Sequence, residues 1–276
     1  MRFVRYGQPG AEKPGVLDAA GNLRDLSGVV DDLSGAVLGN LPQVDPETLP
    51  LVDGTPRLGV PVAGIGKLVC IGLNYSDHAA EAGMAEPSEP IVFMKATSAI
   101  TGPNDPVLLP KGSEKSDWEL ELGVVIGRTA KYVSEADALD YVAGYTIVND
   151  VSERAFQIER GGQWTKGKSC DTFGPIGPWL VSRDDIADPQ NLSLALDLNG
   201  EKAQRGTTAS MIFSVAQIVS YLSQMMSLQP GDVIATGTPP GVGMGMKPPR
   251  FLREGDVMEL SIQGLGSQRQ VVGRDG

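Results

Sequence analysis

Trp118-Glu119-Leu120-Glu121-Leu122-Gly123-Val124-Val125-Ile126-Gly127 decides the reading of this chain. Its first half alternates charge and leucine, and its second half is an apolar run closed by glycine. In a strand, residues two apart share a face, so Glu119 and Glu121 point one way while Leu120 and Leu122 point the other. Glutamate is depleted in strands, and like charges on one face repel. Two readings follow. The pair forms a solvated acidic face, or it faces a cation that offsets the repulsion, as magnesium or calcium does with carboxylate oxygens.

Similar strand signals lie on both sides. KLVCIGLNY (67–75), IVFMK (91–95), DPVLLP (105–110), YVAGYTIVND (141–150), LSLALDLNG (192–200), DVIATG (232–237) and DVMELSIQG (256–264) are apolar or alternating runs, most of them bounded by Gly, Pro, Asn or Asp. Helical segments are fewer: 76–82, 134–141, 152–159 and 214–226. Strands outnumber helices without regular alternation, which argues for an α+β, mostly β fold rather than a doubly wound parallel sheet. Residues 1–66 differ. MRFVRYG reads as a short strand, GVLDAAGNLRDL as a hairpin around Ala20-Gly21-Asn22, and Leu26–Leu41 as helical. A proline-rich run then leads to a boundary near Gly64-Ile65-Gly66. The expected organisation is a small N-terminal α/β domain with linker over 1–66 and a catalytic domain over 67–276.

The chain has 276 residues, 41% hydrophobic and 21% charged, which is ordinary globular usage. A net charge of −11, from 34 acidic against 23 basic residues, argues against nucleic acid and anionic membranes as partners. No secretory signal is visible at the N-terminus. Two cysteines make no disulfide framework, so a reducing, cytoplasmic setting is expected. One histidine excludes every histidine-rich metal site, so any bound metal must rely mainly on oxygen ligands.

Four further stretches bear on chemistry. Gly162-Gln163-Trp164-Thr165-Lys166-Gly167-Lys168-Ser169 matches the phosphate-binding pattern GxxxxGK[ST]. It lacks the buried strand before it and the helix after it, so Lys168 needs another role. Asp150 closes an apolar run. With Glu153 it fits a capping box, or it supplies a third carboxylate near Glu119 and Glu121. His78 and Glu81 lie three apart on a short helix, an incidental surface pair or a carboxylate orienting an imidazole base. Thr236-Gly237-Thr238-Pro239-Pro240-Gly241-Val242-Gly243 is a long turn, or a loop whose glycines let backbone approach a ligand.

Together, GLNYSDHAAE (72–81), FMKATSAITGP (93–103), DWELELGVVIG (117–127), YTIVNDVSERAFQ (145–157), KGKSCDTFGPIGP (166–178), LQPGDVIATGTPPGVG (228–243) and LREGDVMELSIQGLG (252–266) resemble the fumarylacetoacetate hydrolase superfamily. The resemblance spans about Lys67 to Gln270. It is nearest to the shorter acylpyruvate-type branch, with 2,4-diketo-3-deoxy-L-fuconate and L-rhamnonate hydrolases of sugar-acid catabolism. It implies a mixed β-roll, a homodimer and a magnesium or manganese ion held by Glu119, Glu121 and Asp150. It further implies a water-activating dyad of His78 and Glu81, with Lys168 also catalytic. Substrate contacts would come from Arg154, Gln157, Lys168, Gly237 and Thr238. The reaction implied is C–C hydrolysis of a 2,4-diketo acid to pyruvate and a second acid, lactate for a 6-deoxy sugar acid. The superfamily also holds decarboxylases of oxaloacetate-like acids and isomerases or hydratases of 2-oxo dienoates, so fold alone does not fix the reaction. A non-catalytic sugar-acid binding protein is the alternative from another class.

Overall fold

The computed structural model describes residues 1–81, 83 and 85–275. Its centre is a long mixed sheet in the order 23–25, 13–17, 2–6, 174–182, 142–149, 120–126, 233–235, 68–72 and 91–95, with 100–101 paired beside 174–182. A five-stranded sheet runs 201–207, 193–198, 257–262, 266–274 and 107–109. A short ribbon joins 152–153 to 116–117. The fold is mostly β with mixed sheets, as the strand count in the sequence indicated. No helix among the described residues is long and apolar enough to cross a membrane.

Leu120–Ile126 and Val142–Asn149 are buried along their whole length, because the central sheet is covered on both faces. One core joins this sheet to the five-stranded one through residues such as Trp118, Leu120, Leu196, Leu260 and Ile262. On the other face, Leu68, Cys70, Val125 and Ile176 pack with Phe3, Val16, Leu26 and Leu33. Residues 1–66 therefore extend the sheet, with Arg2 and Phe3 pairing with Val181 and Leu180, and share its core.

The hairpin around Ala20-Gly21-Asn22 forms, with Lys13–Leu17 pairing against Leu23–Asp25. The helix expected over Leu26–Leu41 does not. Only Gly35–Gly39 makes a short 3₁₀ turn. Gly28, Gly35 and Gly39 interrupt the segment, and Gly35 sits at φ +50°. Over 134–141 only Ala138–Tyr141 winds, as 3₁₀. The expected helix 152–159 splits into the strand Ser152–Glu153 and the helix Arg154–Ile158. The expected helix 76–82 is described as Ser76–Glu81, and its last position, Ala82, lies outside the described residues. The 214–226 helix runs Val215–Met225 behind a capping box of Ser214 and Gln217.

Candidate active site

Strand register assembles the carboxylates. In the antiparallel pair, Val148 faces Glu121 and Asn149 faces Leu120, so Asp150 emerges beside Glu119 and its N–H donates to the Glu119 carbonyl at 2.9 Å. Glu119 and Glu121 share a face, as strand alternation requires. Ligand atoms of Glu119, Glu121 and Asp150 lie within 4.8 Å of one another, all on buried residues. Asp150 does not cap a helix. Glu153 does, accepting from the Ala155 N–H at 3.2 Å.

Cations surround the cluster unevenly. Lys168 Nζ donates to Glu119 at 2.6 Å and to Asp150 at 2.7 Å. Lys95 Nζ donates to the other Asp150 oxygen at 2.5 Å and to the Val151 carbonyl at 2.9 Å. Arg154 lies 2.7 Å from Glu119 and 2.8 Å from the buried Asp117. Glu121 receives only the Gly237 N–H, at 2.8 Å. Two lysines and one arginine thus face four carboxylates, and Glu121 is the one no cation reaches among the described residues. Burial, then Asp150 and Glu119, push the Glu121 carboxyl well above the usual range. Burial also pushes Glu119 up, but Lys168 and Arg154 outweigh it and hold the group at about 2. Burial pulls the Lys168 ammonium down, yet Asp150 and Glu119 keep it above the ordinary lysine value. The Lys168 ammonium therefore stays charged.

The short helix Ser76–Glu81 carries the dyad. His78 Nδ1 lies 3.2 Å from Glu81, whose carboxylate also accepts the Gly241 N–H at 3.2 Å. The contact ties this helix to the glycine-rich loop. The loop follows the strand Val233–Ala235, and Thr236 and Thr238 donate to the carbonyls of Leu122 and Leu120, both at 2.9 Å. Gly237 adopts φ +100°, where a Cβ would lie 2.8 Å from the Asn74 Cβ.

A cavity of about 160 Å³ brings His78, Glu119, Glu121, Arg154, Gln157, Lys168 and Thr238 to one surface. Asp150, Glu81 and Gly237 are not among its lining residues. Gly237 was expected to touch substrate, but its N–H is taken by Glu121. Thr238 lines the cavity with its hydroxyl already bonded to Leu120 and to Gln204 Nε2. The GxxxxGK[ST] stretch forms no phosphate loop. It encloses the short helix Thr165–Lys168, which delivers Lys168 to the carboxylates. Sequence reasoning missed Lys95, whose signal was a lysine ending an apolar strand, and Asp117. The latter accepts from Arg154 Nε at 2.9 Å and from the N–H groups of Gly243 and Met244 at 2.6 and 3.0 Å.

The fumarylacetoacetate hydrolase C-terminal family model matches residues 67–273. The chain belongs to this family. A Burkholderia cenocepacia protein named "Putative hydrolase BceJ2315_61450" is 63% identical over 98% of both chains. Fumarylacetoacetate hydrolase from Exiguobacterium antarcticum superposes with a TM-score of 0.91 at 38% identity, covering 100% of both chains. The 2-hydroxyhepta-2,4-diene-1,7-dioate isomerase of Mycobacterium marinum gives a TM-score of 0.77 at 35% identity, covering 100% of this chain and 99% of that one. The family thus includes hydrolases and isomerases, and the fold, with the acidic cluster, is that of an enzyme with a small-molecule substrate.

The donor set suits a divalent cation. Three carboxylates supply hard oxygen ligands, and the cluster lacks one positive charge at Glu121.

Proposed function

We propose that this enzyme hydrolyses a C–C bond in a 2,4-diketo acid, releasing pyruvate and a second carboxylic acid. The sugar-acid branch it resembles suggests 2,4-diketo-3-deoxy-L-fuconate or L-rhamnonate as substrate, with lactate as the second product. One observation carries the reading: a buried carboxylate triad short of positive charge shares a cavity with an imidazole backed by a carboxylate. Glu119, Glu121 and Asp150 would hold magnesium or manganese, which when bound supplies a Lewis acid for a chelating 2-oxo acid.

The residues of the chain then have distinct tasks. Gln157 accepts from Arg154 Nη1 through Oε1 at 3.1 Å, which leaves its Nε2 to donate to a substrate carboxylate. Lys168 and Arg154 place fixed positive charge where the enolate develops, without reorganising during the reaction. His78, oriented by Glu81, takes a proton from water as the oxygen adds to C4. The C3–C4 bond breaks, its electron pair passes to the pyruvate enolate, and a proton returned to C3 completes pyruvate. The remaining fragment leaves as a carboxylic acid. Homodimerisation, implied by the family resemblance, belongs to the same proposal.

A second reading comes from the isomerase relatives: proton transfer on a 2-oxo dienoate, with every carbon retained. Product analysis separates the two. Incubation of a 2,4-diketo-3-deoxy-L-sugar acid with enzyme and magnesium should give pyruvate and lactate in equal amounts. A change in absorbance without pyruvate would favour isomerisation, and carbon dioxide in place of a second acid would make the enzyme a decarboxylase.

A further inference from the structure

We infer that the group carried by the substrate beyond its diketo acid head is uncharged and does not end in a second carboxylate. This rests on the 2,4-diketo acid reading and names the substrate class within it.

The lining of the cavity is of two chemical kinds. Beside the charged groups it includes Ile71, Leu73, Phe93, Ile158, Trp164 and Met244. Two contacts place an aromatic pair next to the reacting centre. Lys168 Nζ, which bridges Glu119 and Asp150, lies 4.9 Å from the centre of the Phe93 ring. Phe93 meets Trp164 edge-on, with centroids 5.3 Å apart and planes at 65°. Trp164 is seated by Gly72, where a Cβ would lie 2.6 Å from the indole. The aromatic wall is therefore built into the fold, and it comes from the same stretch, four residues before Lys168, that mimics a phosphate loop.

Charge is missing from that wall. Among the described residues, the lysines and arginines lining the cavity are Arg154 and Lys168, both engaged at the triad. The nearby cations on the same segment do not line the cavity. Arg160 lies over the Phe156 ring at 4.0 Å, and Lys166 donates to the Arg160 carbonyl at 2.7 Å. A distal carboxylate would lose water against Phe93 and Trp164 with no partner to replace it. Meanwhile Ile158 and Met244, at the same cavity, are 50% and 40% exposed. A hydrocarbon chain leaving the cavity would cover them, a gain proportional to the apolar area removed from water.

The test compares pyruvates acylated with acetyl, hexanoyl, benzoyl and 5-carboxypentanoyl groups, the last being hexanoyl with its terminal methyl replaced by a carboxylate. The hexanoyl compound should exceed its carboxylated counterpart in kcat/KM by about 100-fold, the ratio set by one unpaired buried charge. Trp164→Ala should lower kcat/KM about tenfold more for the hexanoyl and benzoyl substrates than for acetyl. Equal or better turnover of the carboxylated substrate would overturn the inference. Calorimetric binding of 2-oxooctanoate against 2-oxosuberate, with magnesium present, keeps it separate from the cleavage reading. Tighter binding of 2-oxooctanoate without cleavage of any diketo acid would uphold the preference for an uncharged group and refute hydrolysis. Preferential binding of 2-oxosuberate would refute that preference alone.

Discussion

Glu81 serves two partners at once, the imidazole of His78 and the backbone of Gly241. Replacing it with glutamine keeps the shape and one accepting oxygen, removes the charge and turns the second acceptor into a donor. In Glu81→Gln, kcat should therefore fall by about 10²- to 10⁴-fold, the range of a general base that loses its support. Metal affinity and the thermal midpoint should stay near those of the parent. Steady-state kinetics with a melting curve checks this, and full turnover would remove water activation from the account. Legibility at this scale followed distance along the chain. Glu119 and Glu121 were readable because two-residue alternation puts them on one face. Glu81 was readable because it lies one helical turn from His78. Asp150 was ambiguous, since a capping residue and a member of a carboxylate cluster look alike until register sets it beside Glu119. The roles of Lys95 and Asp117 were not readable because their partners, Asp150 and Arg154, are 55 and 37 residues away.

The helix Thr165–Lys168 is a short element whose placement governs Lys168. Gly167 is its contact point: a Cβ there would lie 2.3 Å from the Glu153 carbonyl oxygen and 2.5 Å from the Gln157 nitrogen. Both are backbone atoms and have no rotamer to yield. Gly167→Ala should destabilise the protein by about 1–3 kcal/mol, the usual cost of overpacking, and lower activity by shifting Lys168 off the carboxylates. Urea denaturation reads the first effect, and parent-like stability would contradict the packing described. The apolar strands were legible as runs of Val, Ile and Leu. Gly174–Ser182 was not, because Pro175 and Pro178 argue against a central strand, yet it lies between Arg2–Tyr6 and Val142–Asn149. The pairing shifts register between Tyr145 and Ile147, which gives the proline-bearing segment room within the sheet. Gly266–Arg274 hid for another reason. Its buried positions include Gln268 and Gln270, which donate to the carbonyls of Ile147, Gly177 and Pro103 instead of packing as hydrocarbon.

Across the whole molecule, the first 66 residues close one face of the sheet that carries the site. Arg57 grips Asp105 with paired contacts, at 2.7 Å from Nε and 2.5 Å from Nη2, and Phe3 and Leu33 share a core with Leu68 and Val125. Composition suggested a boundary near residue 66, but the strands 2–6, 13–17 and 23–25 belong to the same sheet as 120–126, and such long-range pairing lies outside what composition records. The same organisation concentrates buried charge at one place, where four carboxylates meet three cations. The central claim is that this imbalance marks a divalent metal site. Calorimetric titration of manganese into the parent, Asp150→Asn and Glu121→Gln tests it, with circular dichroism confirming that each variant is folded. The account predicts one ion per chain in the parent and affinity lowered by more than about 100-fold in both folded variants, since loss of a ligand costs more than loss of a ligand's supporting hydrogen bond. Absence of binding in the parent, or equal affinity in all three proteins, would contradict it.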